Sequence, residues 1–149
     1  MGNLGGSSTA EIDAPIDEVW AIVEDVASAP DWQGGLIAVT PIETDDEGRA
    51  TLVESKSDIK VRHVTTKVRF SYAGPDKLSW KQEKGDLKSV EGSWKLEDLG
   101  DGRTRATYTL EADPGRMIGM LIRGPVEGAI RSMLVGARAD ELKARAEGG

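Results

Sequence analysis

Apolar residues recur every three or four positions near the start of the chain. The stripe they form is typical of one helix face and comprises Ile16, Val19, Trp20, Val23 and Val26. Pro15 suits the first turn of this helix, where its missing N–H would have had no partner. Ser28-Ala29-Pro30 breaks the pattern, and Gly34-Gly35 ends the short turn that follows. The pattern therefore predicts two short helices joined at an angle.

From residue 36 to about residue 112, apolar residues instead recur at every second position. Turn signals interrupt this region at DDEG (45–48), AGPD (73–76), KGD (84–86) and LGDG (99–102). The segments between them lie near 36–43, 49–58, 61–73, 77–84, 87–98 and 103–112. Their short links and single polar face predict an antiparallel meander. An N-terminal strand near 8–13 is expected to add a seventh member.

The alternation also assigns each residue of these strands to one face of the sheet. Lys67, Arg69 and Lys95 fall on the outer, polar face, together with the single histidine, His63. The inner face carries Val64, Thr66, Val68, Phe70, Leu78, Trp80, Gln82, Val90, Gly92, Trp94, Leu96, Tyr108 and Leu110. We expect the aromatic members to form either plain core or the wall of a pocket, because aromatic side chains bury large areas in both settings.

Residues 116–146 carry a helical pattern. Its apolar stripe is made of Ile118, Ile122, Val126, Ala129, Ile130, Met133 and Ala137, whereas Glu127, Arg131, Arg138 and Arg145 face away from it. Gly124-Pro125 lies inside the pattern, and proline removes a backbone hydrogen bond there, so a kink or a break is expected.

These elements predict an α+β domain built on one antiparallel sheet of about seven strands. The sheet has one apolar face to cover, and the terminal helix is the largest element that can cover it. Because sheets twist, we expect this sheet to curl around that helix, with the two short helices closing one end. Residues 1–149 are expected to form a single domain, with 1–7 as a flexible tail.

Composition narrows the function classes. The chain has 149 residues, of which 38% are hydrophobic and 30% charged, as expected for one globular domain. The net charge of −7 would repel nucleic acid, and no run of about 18 apolar residues is present to cross a membrane. With no cysteine and no readable secretory signal, we expect a cytoplasmic protein.

The sequence offers few groups for catalysis or metal binding. One histidine and no cysteine make no zinc ligand set, and no GxSxG, phosphate-loop or dinucleotide motif is present. We therefore expect neither a metal nor a cofactor.

Three stretches resemble a known family. IDAPIDEVWAIVEDVASAPDWQGGL (12–36), EGSWKLEDLGDGRTRATYTLEAD (91–113) and the terminal helix after PGRM are similar to the SRPBCC superfamily, in particular to its polyketide cyclase/dehydrase and lipid-transport branch. That resemblance spans about residues 8 to 147. It implies a START-like helix-grip fold with a hydrophobic cavity between sheet and terminal helix, which holds a lipid-like or polycyclic molecule.

Three function classes stay open: a carrier of a lipophilic molecule, a polyketide cyclase, aromatase or dehydratase, and a protein-interaction module. A cyclase would need polar groups in the cavity, for which Tyr108, Gln82 and Arg62 are the candidates. The predicted ligand-binding residues are Thr66, Val68, Phe70, Trp80, Gln82, Trp94, Tyr108, Met117, Leu121, Ile122 and Met133. The sequence leaves the ligand's identity and the oligomeric state undetermined.

Overall fold

The structure is a computed structural model that describes residues 4–148. Its strands and helices follow the predicted order. They are β1 (Gly6–Ile12), α1 (Ile16–Glu24), a 3-10 helix (Val26–Asp31), β2 (Leu36–Thr44), β3 (Ala50–Asp58), β4 (His63–Ala73), β5 (Lys77–Gly85), β6 (Ser89–Gly100), β7 (Arg103–Asp113), α2 (Gly115–Leu121), α3 (Pro125–Arg131), a π-helical turn (Ser132–Gly136) and α4 (Arg138–Gly148).

The described residues contain one antiparallel sheet of seven strands in the order β1-β7-β6-β5-β4-β3-β2. Strands β2 to β7 form the predicted meander, and β1 pairs with β7 at the far edge. The predicted α+β class, with a curved sheet against a C-terminal helical segment, is confirmed.

The N-terminal segment is ordered earlier than the sequence indicated. Leu4 is buried, and its backbone N–H donates to the carbonyl of Ala112 at 2.7 Å. β1 then begins at Gly6. A buried side chain and a backbone hydrogen bond thus connect residue 4 of the predicted tail to β7. Residues 1–3 of that predicted tail lie outside the described residues.

The two predicted short helices are present as α1 and the 3-10 helix. Val19, Trp20 and Val23 bury the inner face of α1, as their spacing required. Pro30 lies within the 3-10 helix, whose last residue precedes Trp32. The chain can therefore turn into β2 shortly after the helix has covered one end of the sheet.

The C-terminal segment is helical, as predicted, and is divided at the predicted place. α2 ends at Leu121, and α3 begins with Pro125, where a missing N–H costs no helical bond. Gly124 adopts a φ of 70°, which glycine tolerates because it has no Cβ.

The π-helical turn changes which residues of the C-terminal segment face the sheet. Each α-helical residue advances by about 100°, and a π turn inserts one extra residue into that count. From α3 onwards the buried positions are accordingly Ile130, Val135, Arg138, Ala139 and Leu142. The prediction that Arg138 faces away from the core is therefore wrong, because it assumed an uninterrupted helix.

Candidate functional site

A cavity of about 150 Å³ lies between the concave face of the sheet, the 3-10 helix and the C-terminal segment. Every strand from β2 to β7 contributes to its wall. Apolar side chains of the sheet that line it include Val53, Val64, Val68, Leu78, Val90 and Leu110. Among the described residues after β7, Leu134 and Arg138 alone line it. The cavity is thus largely a feature of the sheet and the 3-10 helix.

Five aromatic side chains form a continuous cluster along this wall. The ring centroids of Phe70 and Trp80 are 5.7 Å apart, and Trp80 lies 5.6 Å from Tyr108. Tyr108 in turn lies 4.8 Å from Trp94, which lies 6.1 Å from Trp32. Tilted rings at these distances attract each other beyond their burial. The cluster therefore gives the cavity a continuous aromatic side.

Gly92 allows two rings of this cluster to meet across a strand. It pairs with Trp80 on β5 and with Leu110 on β7, so it lies between them in the sheet. A Cβ on Gly92 would lie 2.6 Å from the Trp80 indole and 2.8 Å from the Thr109 carbonyl. The indole therefore occupies the space of the missing side chain and reaches Tyr108.

Polar groups in the wall are few, and one pair of them satisfies itself. The hydroxyls of Ser55 and Thr66 are 2.8 Å apart and share a hydrogen bond between β3 and β4. Ser57 and Gln33 add further polar atoms. A buried hydroxyl with a partner costs little, so this side of the wall is compatible with an apolar occupant.

Arg138 is the only buried charged side chain among residues 4–148, with 4% of its surface exposed. Its Nη1 donates to the Gly34 carbonyl at 3.0 Å and to Oε1 of Glu141 at 2.7 Å. Glu141 also accepts a bond from the Gly34 N–H at 2.9 Å through Oε2. The pair thereby joins α4 to the turn that leads into β2.

One atom of Arg138 is left without a partner. Its buried Nε finds no hydrogen-bond acceptor in the described part of the chain. The guanidinium lies over the Tyr108 ring, with Cζ 5.6 Å from the centroid. Burial raises the pKa of the Tyr108 phenol, and the charge and hydrogen bond of Arg138 oppose that rise. Tyr108 is therefore a neutral hydrogen-bonding group at physiological pH.

The structure places six of the eleven predicted ligand-binding residues in the cavity wall: Thr66, Val68, Phe70, Trp80, Trp94 and Tyr108. All six come from the strands, where the alternation of inner and outer positions assigned them to the concave face.

The other five do not line the cavity. Met117 and Leu121 of α2 are 81% and 53% exposed, whereas Ile122 is buried in the core. Met133 lies against Gly35, and the side-chain amide of Gln82 donates to the Leu87 carbonyl at 2.9 Å. These five residues could contact a ligand in the cavity only if the wall adopted a different arrangement.

The polar candidates for catalysis are mostly remote from the wall. Arg62 is 46% exposed and lies 3.7 Å from the Asp86 carboxylate, and His63 is 54% exposed. Neither lines the cavity, and Gln82 is held by the loop after β5. Tyr108 is the one candidate of the three that the structure brings to the wall.

Sequence reasoning missed several lining residues. Trp32 follows Pro30 in the closing segment, and its large apolar ring beside Gly34-Gly35 was a signal for a residue that turns inward. Arg138 gave no such signal, because its direction depends on the π-helical turn.

α2 carries apolar side chains on its outer surface. Met117, Met120 and Leu121 are 81%, 60% and 53% exposed, Arg116 lies in the first turn, and Arg123 lies two residues beyond the end of the helix. Ile118 anchors the helix from its buried side. No helix in the described part of the chain has the length and apolar character that a membrane crossing requires.

Residues 12–137 match the model of a family described as polyketide cyclase / dehydrase and lipid transport. A START superfamily protein from Mycobacterium smegmatis is 18% identical, with a TM-score of 0.81 and 97% of each chain covered. The Zhui aromatase/cyclase from Streptomyces sp. R1128 is 18% identical, with a TM-score of 0.75 over 97% of this chain and 94% of that one. A protein from Thermus thermophilus gives a TM-score of 0.77 at 16% identity, over 96% of this chain and 98% of that one. At these identities the likeness establishes a shared fold. Among curated proteins, none matches this sequence.

Proposed function

The chain belongs to the polyketide cyclase/dehydrase and lipid transport family, and from that premise we propose that its cavity binds a hydrophobic small molecule. The observation that carries the proposal is the cavity itself, which apolar and aromatic side chains line on most sides. Binding sites for small molecules are concave, mostly apolar and equipped with a few polar groups, and this cavity has all three properties.

The volume limits the size of the ligand. Drug-sized ligands occupy sites of about 300–1,000 Å³, whereas an engineered apolar cavity of about 150 Å³ in another protein binds benzene. The cavity here has the smaller size, about 150 Å³. In this conformation it therefore fits a ligand of about one ring, and a lipid or polycyclic ligand would require the wall to move.

The charged groups of the outer face favour a small-molecule partner over nucleic acid. Arg69, which belongs to the most basic stretch of the sequence, lies 2.8 Å from Glu43 and 2.7 Å from Glu83. Arg105 similarly contacts Glu11 and Glu97, both at 3.1 Å. Arginines neutralised in this way offer little attraction to phosphates, in keeping with the net charge of −7.

A series of alkylbenzenes from toluene to hexylbenzene, measured by titration calorimetry, tests this proposal. Affinity should rise by about fourfold per added methylene until the cavity is full, because each buried methylene contributes about 0.8 kcal/mol. Native mass spectrometry of gently purified protein would then identify a natural ligand that stays bound.

Two matched variants locate the binding. Val68→Phe fills the cavity from β4 and should abolish binding of the longer members, whereas Lys67→Phe adds the same ring to the exposed face and should change nothing. Both variants must first show a cooperative thermal transition. Absence of binding to the wild type, or equal binding by both variants, would refute the proposal.

A cyclase or aromatase is the second candidate, and Tyr108 is the observation that favours it. Its hydroxyl is the ionisable oxygen in the wall, and a structural neighbour of the same fold is named as an aromatase/cyclase. Tyr108→Phe should then abolish conversion of a linear poly-β-ketone and keep its binding. Conversion at the wild-type rate would exclude Tyr108 as the proton donor.

A further inference from the structure

We infer that Arg138 is the polar anchor of the cavity and that it selects hydrophobic ligands that carry a neutral acceptor oxygen, such as a ketone. This inference rests on the proposed function and adds the chemical class of the ligand. It comes from a side chain that the sequence pattern assigned to the outer surface.

The first support is an unmet hydrogen bond. Arg138 lines the cavity and is only 4% exposed, and its Nε has no acceptor within residues 4–148. A buried charged donor without a partner is costly, and such groups are rare in folded proteins. An acceptor on a bound molecule would remove that cost. The unmet bond therefore favours ligands with an oxygen at this end of the cavity.

The second support is the backbone device that turns Arg138 inward. The π-helical turn of Ser132–Gly136 ends two residues before Arg138. It inserts one extra residue, so each later side chain points where the preceding residue of a continuous α-helix would point. π turns are rare and occur frequently at functional sites. A continuous α-helix would have placed Ala137 at this point of the wall. The turn thus exchanges an inert methyl group for a guanidinium.

The electrostatics favour a neutral oxygen over a carboxylate. Glu141 lies 2.7 Å from the guanidinium and already neutralises its charge. A second buried anion would lie close to the Glu141 carboxylate and would lose its own hydration. The free energy of these two effects exceeds what a hydrogen bond to the one remaining donor contributes. A ketone or amide oxygen meets neither penalty. The hydroxyl of Tyr108, whose ring lies beneath the guanidinium, can donate to the same oxygen.

Acetophenone and α-methylstyrene form a matched pair of probes for this inference. They have nearly the same shape and one ring each, and differ in a C=O against a C=CH₂ group. Their dissociation constants are measured by NMR titration of the isotope-labelled protein, first for the wild type and then for Arg138→Met. Loss of a hydrogen bond from a charged donor should raise the ratio of the acetophenone constant to the α-methylstyrene constant by about tenfold or more.

Leu134→Ala is the control, since it removes an apolar part of the same wall and should weaken both probes alike. Arg138→Lys keeps a cation and a flexible N–H donor beside Glu141, so it should raise the same ratio by a smaller factor than Arg138→Met. Benzoate is the third probe, and we expect it to bind more weakly than acetophenone. The Nε–H signal of Arg138 gives a direct readout in the wild type and should shift with acetophenone and not with α-methylstyrene.

Each result either supports or contradicts the role of Arg138 as polar anchor. A ratio that stays within about twofold of the wild-type ratio in Arg138→Met, or an Nε–H signal that does not respond to acetophenone, overturns the inference and leaves the proposed function standing. Tighter binding of benzoate than of acetophenone overturns the preference for a neutral oxygen. Failure of both neutral probes to bind the wild type contradicts the proposed function as well.

Discussion

Trp94 lines the cavity and is still only 2% exposed. Its ring packs against Tyr108 on one side and Trp32 on the other, so it contributes to the core and to the cavity wall together. Substitution of Trp94 can therefore change both the free energy of unfolding and the affinity for a ligand.

Trp94→Ala should lower the free energy of unfolding by about 3–5 kcal/mol, the usual range for truncation of a buried large side chain. Urea denaturation of the variant and the wild type measures this loss. The neighbouring Lys95→Ala, on the exposed face of the same strand, should change stability by less than about 0.5 kcal/mol. A similarly small loss for Trp94→Ala would contradict its place in the core.

The two tyrosines of the chain should resist ionisation. Burial raises the pKa of Tyr72 to about 12, and burial also raises that of Tyr108. The hydroxyl of Tyr72 in addition donates to the Ala50 carbonyl. In the unfolded chain both phenols titrate near pH 10. The stability that their protonated forms contribute is therefore complete below about pH 10 and is lost as the pH rises towards 12.

Phenolate absorbance, recorded from pH 8 to 12, checks this expectation. At pH 10 the folded protein should show less phenolate than the unfolded chain, and the urea concentration at its unfolding midpoint should decrease between about pH 10 and about pH 12, the window from the unfolded pKa to that of folded Tyr72. Tyr72→Phe leaves Tyr108 as the single reporter and should retain a delayed titration. Phenolate that develops with a midpoint near 10 in the folded protein would contradict the burial of both rings.

The side-chain directions in the strands could be predicted from the sequence, whereas those in the C-terminal segment could be predicted only in part. A strand has a side-chain period of two whatever its length, so the alternation of β4 to β7 placed Thr66, Trp80, Trp94 and Tyr108 correctly on the concave face. The apolar pattern does not mark the π-helical turn, and the turn rotates the direction of each side chain beyond it. Arg138 was misplaced for that reason, although the break at Gly124-Pro125 was predicted.

α2 is a short helix with few buried side chains. It is separated from α3 at Gly124 and exposes Met117, Met120 and Leu121, whereas Ile118 and Ile122 are buried. Two buried side chains hold a short helix weakly, and low-stability segments of this kind open first. The cavity of about 150 Å³ also has to widen for a larger ligand.

We therefore predict that residues 117–123 move as a lid hinged at Gly124, while residues 126–146 stay docked. In hydrogen exchange, the amides of 117–123 should exchange much faster than those of 127–137, and should slow when hexylbenzene is added. Equal protection on both sides of Pro125 with no ligand effect would show a fixed break that fits the curve of the sheet.

The whole molecule combines a small apolar cavity with an exposed apolar surface on α2, and a hydrophobic molecule can meet either. We propose the cavity as the binding site because its wall would contact a ligand on several sides, whereas α2 offers three side chains on one turn and a half of helix. We therefore predict that a hydrophobic ligand lies inside the curved sheet and not on α2.

Intermolecular NOEs between propylbenzene and a methyl-labelled sample test that claim most directly. We expect contacts from the ligand to the methyl groups of Val68, Leu78 and Leu110, which line the cavity. Contacts confined to the methyl groups of Met117, Met120 and Leu121 would place the ligand on the outer surface of α2 and contradict it.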